Sequence, residues 1–171
     1  MNKYLKLYDL IGFKICWVLC AFCSIWNQPY LGPLATTFFI MIHLYFVRFK
    51  SRDIKIVLIA ILCGLLLDTS FSKLGLISYQ GGIFAHYGLS PLWILSMWAG
   101  FSLSMMYTLE SIKDKYIISS FLGLIGGPLS YSAGVGIGSI TIHTTFAYVV
   151  LGFAWAIVVP VLFKYSNTYE I

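Results

Sequence analysis

The segment GLLLDTSFSKLGLISYQGG, residues 64–82, joins an apolar helix to a glycine-rich, aromatic loop with almost no charge. We interpret Asp68, inside the helical part, as the one acidic residue that cannot be placed in a loop or a tail. A carboxylate in hydrocarbon costs about 2.5 to 3.5 kcal/mol on insertion scales, so it normally faces the interior of a helix bundle and has a partner. The segment therefore predicts a helix bundle in a membrane, with a polar site near one face.

The composition supports this fold class. Of the 171 residues, 60% are hydrophobic and only 10% are charged, whereas about a quarter of a soluble domain is charged. Helices can bury so much apolar surface in lipid because they satisfy their own backbone hydrogen bonds. We expect one all-α membrane domain, residues 1–171. The net charge of +5 does not indicate nucleic acid, because the basic residues are confined to short segments between apolar runs.

The apolar runs predict about six transmembrane helices. Five of them cover residues 10–26, 33–47, 54–73, 91–109 and 144–163, and the remaining one starts near residue 116. With this count, ten of the eleven lysines and arginines fall on one side of the membrane and only Lys73 on the other. Basic residues accumulate on the cytoplasmic side, so both termini are expected to be cytoplasmic.

The fifth predicted helix contains the second distinctive segment, GLIGGPLSYSAGVGIG, residues 123–138. Small residues four apart allow two helices to approach closely. Two such sets are Ser119, Gly123 and Gly127, and Ser130, Gly134 and Gly138. Pro128 cannot donate a hydrogen bond to the carbonyl of Leu124, so we expect a kink or break about 18 Å into this helix.

Asp68 is the best candidate for a site, in a cavity open to the outer face. The polar residues expected to join it are Asn27, Tyr79, Gln80, His86, Ser130, Tyr131 and His143. In the functional interpretation Asp68 contacts a ligand or a proton. In the structural interpretation it is protonated or paired with Lys73, and it ties the third helix to the following loop or to the fifth helix. The sequence leaves both interpretations open. The loop after Lys73 is too apolar to extend into water, which favours a loop that folds back over the bundle.

We interpret three cysteines and one histidine as structural residues. Cys16, Cys20 and Cys23 are spaced along one face of the first helix, where cysteine usually serves as a small packing residue. His43 lies near a basic end of its helix and is expected to be hydrogen-bonded rather than to handle protons. Lys14 is placed near the inner end of the first span, from where its side chain can extend to the membrane surface.

Evidence for an enzyme is weak. The chain contains no G-x-S-x-G, H-E-x-x-H or Walker motif, which are the usual markers of hydrolases, metalloproteases and nucleotide-binding proteins. Ser130 or Ser132 would need a nearby base, and His143 is the only local candidate. We therefore predict no catalytic residues, no metal and no cofactor.

Three segments carry a resemblance to a known family. These are NQPYLGP, GLLLD with the following LG and SY, and GGPLSYSAG. Together they resemble a family of small proteobacterial inner-membrane proteins of unknown function, which implies a multi-pass protein of the bacterial inner membrane. GLLLDTSFSKLG is more loosely similar to a stretch of the rod-shape-determining membrane subunit and of the substrate-binding components of energy-coupling-factor transporters.

Two functions from different classes follow as expectations. In the first, the protein binds or transports a small or lipid-like molecule through a cavity in the outer half of the bilayer. In the second, it is a non-catalytic assembly subunit that packs its Gly and Ser faces against helices of a membrane partner. A membrane enzyme acting on lipid is a third, weaker alternative.

Overall fold

The computed structural model describes residues 3–167, with all of their side chains except those of Lys3, His86 and Asn167. Within this range the chain is mostly helical, which confirms the predicted all-α fold. The six α-helices are α1 (Lys3–Ile25), α2 (Leu31–Phe46), α3 (Lys50–Lys73), α4 (Leu92–Thr108), α5 (Tyr116–Ile137) and α6 (Thr145–Asn167). Two short strands, β1 (Ile77–Tyr79) and β2 (Ile140–Ile142), were not predicted.

Four of the described helices are long and apolar enough to cross a membrane, namely α1, α3, α5 and α6. The helix α2 is apolar but shorter, with 16 residues, and α4 has 17. A helix needs about 17 to 25 residues to span the hydrocarbon core. The structure therefore indicates a multi-pass membrane protein, while the count of six spans and the cytoplasmic position of the termini stay predictions.

The short helix α4 lies at the centre of the bundle. Most of its residues are buried, and it packs against α1, α2 and α3. The helices α5 and α6 pair closely with each other. They contact the other four helices where α6 packs on α3 and where Trp155 stacks on Trp98 of α4, and they touch α1 only sparsely. The bundle thus consists of a four-helix group and a helix pair, with a gap between them beside α1.

The two ends of the bundle differ. The end where α1, α3 and α5 begin carries Lys6, Arg48, Lys50 and Lys115, and we call it the basic end. The opposite end, here called the strand end, carries β1 and β2, which pair antiparallel with Tyr79 opposite Ile140. These strands connect the segment after α3 with the segment after α5, so the loop after Lys73 does fold back onto the bundle.

Of the two outcomes expected at Pro128, a kink or a break, the break does not occur, because α5 continues as a helix from Tyr116 to Ile137 with the proline inside it. The carbonyl of Leu124, which Pro128 leaves without its usual donor, faces Gly152 of α6. A side chain at Gly152 would come within 3.0 Å of this oxygen. Close packing of α6 therefore covers the defect without interrupting the helix. The helix ends at Gly138, whose φ of 89° suits a left-handed cap.

The small-residue face of α5 is used inside the bundle. Ser119, Gly123 and Gly127 are buried, and a Cβ atom at Gly127 would lie only 2.5 Å from the indole ring of Trp155 on α6. The predicted close approach of helices at this face is confirmed. The cysteines also pack as predicted, since Cys16, Cys20 and Cys23 are all buried, and Gly32 of α2 lies directly against Cys20.

Candidate functional site

Asp68 lies at the strand end, inside a cluster of three neutral donors. The hydroxyl of Tyr79 donates to Oδ1 over 2.6 Å, and the hydroxyl of Tyr131 donates to the same oxygen. The indole N–H of Trp98 donates to Oδ2 over 2.7 Å. The aspartate is fully buried. It therefore connects α3 with β1, α4 and α5 through one carboxylate.

No salt bridge to Asp68 exists among the described residues. Lys73 is exposed at the end of α3, so the predicted alternative of an Asp68–Lys73 pair is not what the structure shows. A buried carboxylate is stabilised here by hydrogen bonds from neutral groups, which lower the cost of its burial. The sequence located Tyr79 and Tyr131 correctly beside Asp68 but missed Trp98, which is thirty residues away in the chain.

None of the other predicted site residues whose side chains are described hydrogen-bonds Asp68. Gln80 is exposed, and its carbonyl accepts a hydrogen bond from the indole of Trp93. His143 is exposed and lies 2.7 Å from the hydroxyl of Ser78. Asn27 occupies the turn between α1 and α2, with a positive φ of 55°. His86 lies in the short 3₁₀ turn Ala85–Tyr87, and its side chain is outside the described part of the structure.

A cavity of about 600 Å³ lies in the gap between the four-helix group and the α5–α6 pair. This volume is within the range of about 300 to 1,000 Å³ that is typical of small-molecule sites. The lining is mainly apolar and aromatic. Its main contributors are Phe13, Lys14 and Trp17 of α1, Trp93, Met97, Trp98, Phe101 and Met105 of α4, Gly126, Ser130 and Tyr131 of α5, and Trp155 of α6.

Asp68 is separated from this cavity by its own partners. Trp98 and Tyr131 belong to the cavity lining, whereas Asp68 does not. The carboxylate thus orients the side chains of Trp98 and Tyr131 from the side that faces away from the cavity. Across the gap, the indole N–H of Trp17 on α1 donates to the hydroxyl of Ser130 on α5 over 3.3 Å, which is a long and therefore weak hydrogen bond between the two halves of the bundle.

A second polar cluster, here called the histidine cluster, lies at the basic end. His43 Nδ1 is 2.7 Å from Asp9 Oδ1, and His43 Nε2 is 3.2 Å from Asp53 Oδ2. Arg52 donates to the other oxygen of Asp53 over 2.9 Å, and Tyr107 donates to Asp53 over 2.5 Å. His43 and both aspartates are fully buried. The cluster joins α1, α2, α3 and α4.

The geometry of this cluster fixes its charge. A carboxylate accepts hydrogen bonds but does not donate them, so His43 must carry a proton on both nitrogens when both aspartates are ionised. The imidazolium and the Arg52 guanidinium then balance the two carboxylates, and the cluster is neutral as a whole. The hydrogen-bonded role predicted for His43 is confirmed. The second oxygen of Asp9 has no hydrogen-bond partner among the described residues.

Asp9 and Asp53 lie just before the first and third predicted spans, so neither was expected inside the bundle. The prediction that only Asp68 cannot be placed in a loop or tail is therefore wrong. The error arose because the first span was expected to begin at residue 10, whereas α1 begins at Lys3. Likewise α3 begins at Lys50, so that Asp53 lies in its first turn. Apolar runs locate the hydrocarbon part of a helix but not the polar turns that extend beyond it.

One exposed ion pair also lies at the basic end. Lys6 of α1 and Glu110, in the 3₁₀ turn Glu110–Ile112, are 2.7 Å apart and both about half exposed. The hydrogen bond from Lys6 lowers the pKa of the Glu110 carboxyl below its usual value. This pair connects the start of α1 with the segment between α4 and α5, on the side of the bundle where the cavity lies.

Comparison with known proteins places the chain in a family but not in a functional class. A family model described as "Protein of unknown function (DUF2878)" matches residues 6–161, so the chain belongs to that family. Neither the curated proteins nor the solved structures contain a match. The result agrees with the expected membership of a family of unknown function, while the weaker likenesses to the rod-shape subunit and to the transporter components remain predictions.

Proposed function

We propose that the protein binds a small or lipid-like molecule in the cavity between α1, α4, α5 and α6, as part of carrying that molecule through or along the membrane. The observation that supports this proposal is the cavity itself, with its volume of about 600 Å³ and its aromatic lining. A gap of this size with an aromatic lining is better suited to a ligand than to bundle stability.

Open space at one glycine strengthens the argument. Gly126 lines the cavity, and a Cβ atom built on it meets no atom within 4 Å. The neighbouring Gly127 is different, because its Cβ would clash with Trp155. Close packing therefore explains Gly127 but not Gly126, and a glycine at position 126 keeps the cavity free.

The alternative, an assembly subunit, is less well supported by the same helix. Its proposed contact surface included Ser119, Gly123 and Gly127, and this face is already covered by α6. A partner helix would have to use other positions on α5, such as the exposed Gly136. Such a subunit would not need the cavity.

The proposal can be tested with tryptophan fluorescence. Trp17, Trp93, Trp98 and Trp155 line the cavity, whereas the fifth tryptophan, Trp26, is exposed and is best removed as Trp26→Phe. In that background, in nanodiscs, a bromine-labelled single-chain amphiphile is expected to quench the fluorescence with saturable binding. Gly126→Leu, which fills the cavity, should weaken this binding about tenfold or more.

Gly136→Leu is the matched control for this experiment. It makes the same substitution on the same helix, also into open space, but outside the cavity lining. Both substitutions raise helix propensity by a similar amount. Equal quenching in Gly126→Leu and Gly136→Leu would show that the label acts from the surrounding lipid, and the cavity proposal would then fail.

A further inference from the structure

The cavity contains one charged side chain, and its position is unusual. Among the described residues that line the cavity, Lys14 is the only one with a formal charge, and the lining includes no carboxylate. Lys14 lies at the midpoint of α1, halfway between Lys3 and Ile25. At 1.5 Å per residue, either end of the helix is about 16 Å away.

Lys14 stays close to the basic end of the predicted span, because the turns of α1 before residue 10 carry Lys6 and Asp9 and extend beyond the apolar run. Its side chain is exposed where it lines the cavity. A cation in a candidate membrane span normally faces the bundle interior or a water-filled cavity and has a partner. The lining itself supplies no acidic partner.

Asp68 does not serve as that partner. Asp9 and Asp53 both contact His43 and therefore lie at a similar level along the bundle. Lys14 is five residues beyond Asp9 on α1, and Asp68 is fifteen residues beyond Asp53 on α3. At 1.5 Å per residue these are about 8 and about 22 Å along helices that run in the same direction. Asp68 is also enclosed by Tyr79, Trp98 and Tyr131. No negative charge within the lining matches Lys14, and a ligand in the cavity can supply one.

The shape of the cavity limits the rest of the ligand. Its wall on α4 extends from Trp93 to Leu109, a distance of about 24 Å at 1.5 Å per residue. A cavity of this length can take an extended hydrocarbon chain. Apart from Lys14, its surface is almost entirely apolar.

One further donor lies in the wall. The indole N–H of Trp155 is buried and lies near the Tyr131 hydroxyl, but it forms no hydrogen bond of good geometry with a described residue. A buried donor without an acceptor is unfavourable, and an oxygen atom of a ligand in the cavity would offer one. The wall thus presents a cation and an unused N–H donor, both of which favour a ligand that carries acceptor oxygens.

We infer that the ligand is an anionic amphiphile whose negatively charged group contacts Lys14 and whose hydrocarbon chain lies along the α4 wall. This inference rests on the proposed function and specifies its ligand class. A carboxylate and a phosphate monoester both satisfy it, because each offers anionic oxygens to the ammonium group.

The test compares two probes that differ only in charge. The Trp26→Phe protein in nanodiscs is titrated at mildly alkaline pH with dibromostearate and, separately, with its uncharged methyl ester. The protein with Lys14 intact is expected to bind the carboxylate at least tenfold more tightly than the ester. Lys14→Gln should weaken carboxylate binding about tenfold, which is the size expected for one charge-assisted hydrogen bond, and should leave ester binding unchanged.

Lys73→Gln is the control, because it removes the same charge from the exposed end of α3. It should change neither affinity. If Lys14→Gln keeps the preference for the carboxylate, or if Lys73→Gln loses it to the same extent, the anionic class is wrong while the cavity proposal stands. If neither probe quenches the fluorescence of the protein with Lys14 intact, the proposed function itself fails.

Ester binding by Lys14→Gln also shows that this variant is folded. A brominated alkyl phosphate, run in parallel, shows which anionic head group binds more tightly.

Discussion

The bundle buries aspartates at both ends but stabilises them in different ways. At the strand end, Asp68 accepts hydrogen bonds from three neutral donors. At the basic end, Asp9 and Asp53 contact a histidine and an arginine. The first arrangement depends on hydrogen-bond geometry and the second on charge balance. Substitutions at the two ends should therefore destabilise the protein for different reasons. Only the strand-end cluster shares side chains with the cavity.

Asp53→Asn should have the largest effect on stability. The substitution leaves the Arg52 guanidinium and the His43 imidazolium with one carboxylate fewer, and breaking a buried ion pair in this way typically costs about 3 to 5 kcal/mol. The free energy of unfolding, measured by reversible denaturation in mixed micelles, reports the loss. A cost no greater than that of Asp68→Asn would show that the two ends are not stabilised differently.

Asp68→Asn should have an intermediate effect. The amide oxygen can still accept from the tyrosine hydroxyls, but the amide nitrogen then faces the indole N–H of Trp98, and two donors cannot bond each other. Leaving a buried donor unsatisfied costs about 1 to 3 kcal/mol. In a double-mutant cycle with Trp98→Phe, the two costs should therefore be less than additive; additive costs would show that this contact is not responsible.

The same variant also addresses the candidate site. Because Asp68 lies behind the cavity wall, Asp68→Asn should weaken binding of the brominated probe less than Gly126→Leu does. A complete loss of binding with unchanged stability would instead support the direct ligand contact that the sequence suggested for this residue.

Glu110→Gln should have the smallest effect. The Lys6–Glu110 pair is about half exposed, and such pairs contribute less than about 1 kcal/mol. The pKa of Glu110 is lowered in the folded protein. The ion pair therefore stabilises the fold fully above about pH 4.3, the pKa of Glu in the unfolded chain, and this stabilisation disappears as the pH falls through the lower pKa of the folded protein. The stability difference from the unsubstituted protein should therefore vanish in acid and shrink in high salt. A difference that persists under both conditions would indicate a role other than ion pairing.

The sequence predicted the helices well because each follows a long apolar run. It also brought Asp68, Tyr79 and Tyr131 into one site, since a buried carboxylate needs donors and few polar residues are available nearby. The boundaries at the basic end were less accurate, because Asp9 and Asp53 lie in polar turns that continue helices beyond their apolar parts. The histidine cluster was missed for this reason.

Three other features depend on tertiary packing and could not be read from local patterns. Trp98 reaches Asp68 from the central helix, and β1 pairs with β2 across more than sixty residues of chain. The helix α5 stays continuous at Pro128 only because α6 covers the exposed carbonyl of Leu124. The cavity is likewise a property of how the α5–α6 pair meets the other helices.

The most direct test of the central claim is native mass spectrometry of the protein released from nanodiscs, comparing the unsubstituted chain with Gly126→Leu and Gly136→Leu. We predict that a co-purified anionic amphiphile is present on the unsubstituted protein and on Gly136→Leu, and absent from Gly126→Leu. An unsubstituted protein without any bound molecule, or the same molecule on all three proteins, would contradict the claim that this cavity is a binding site.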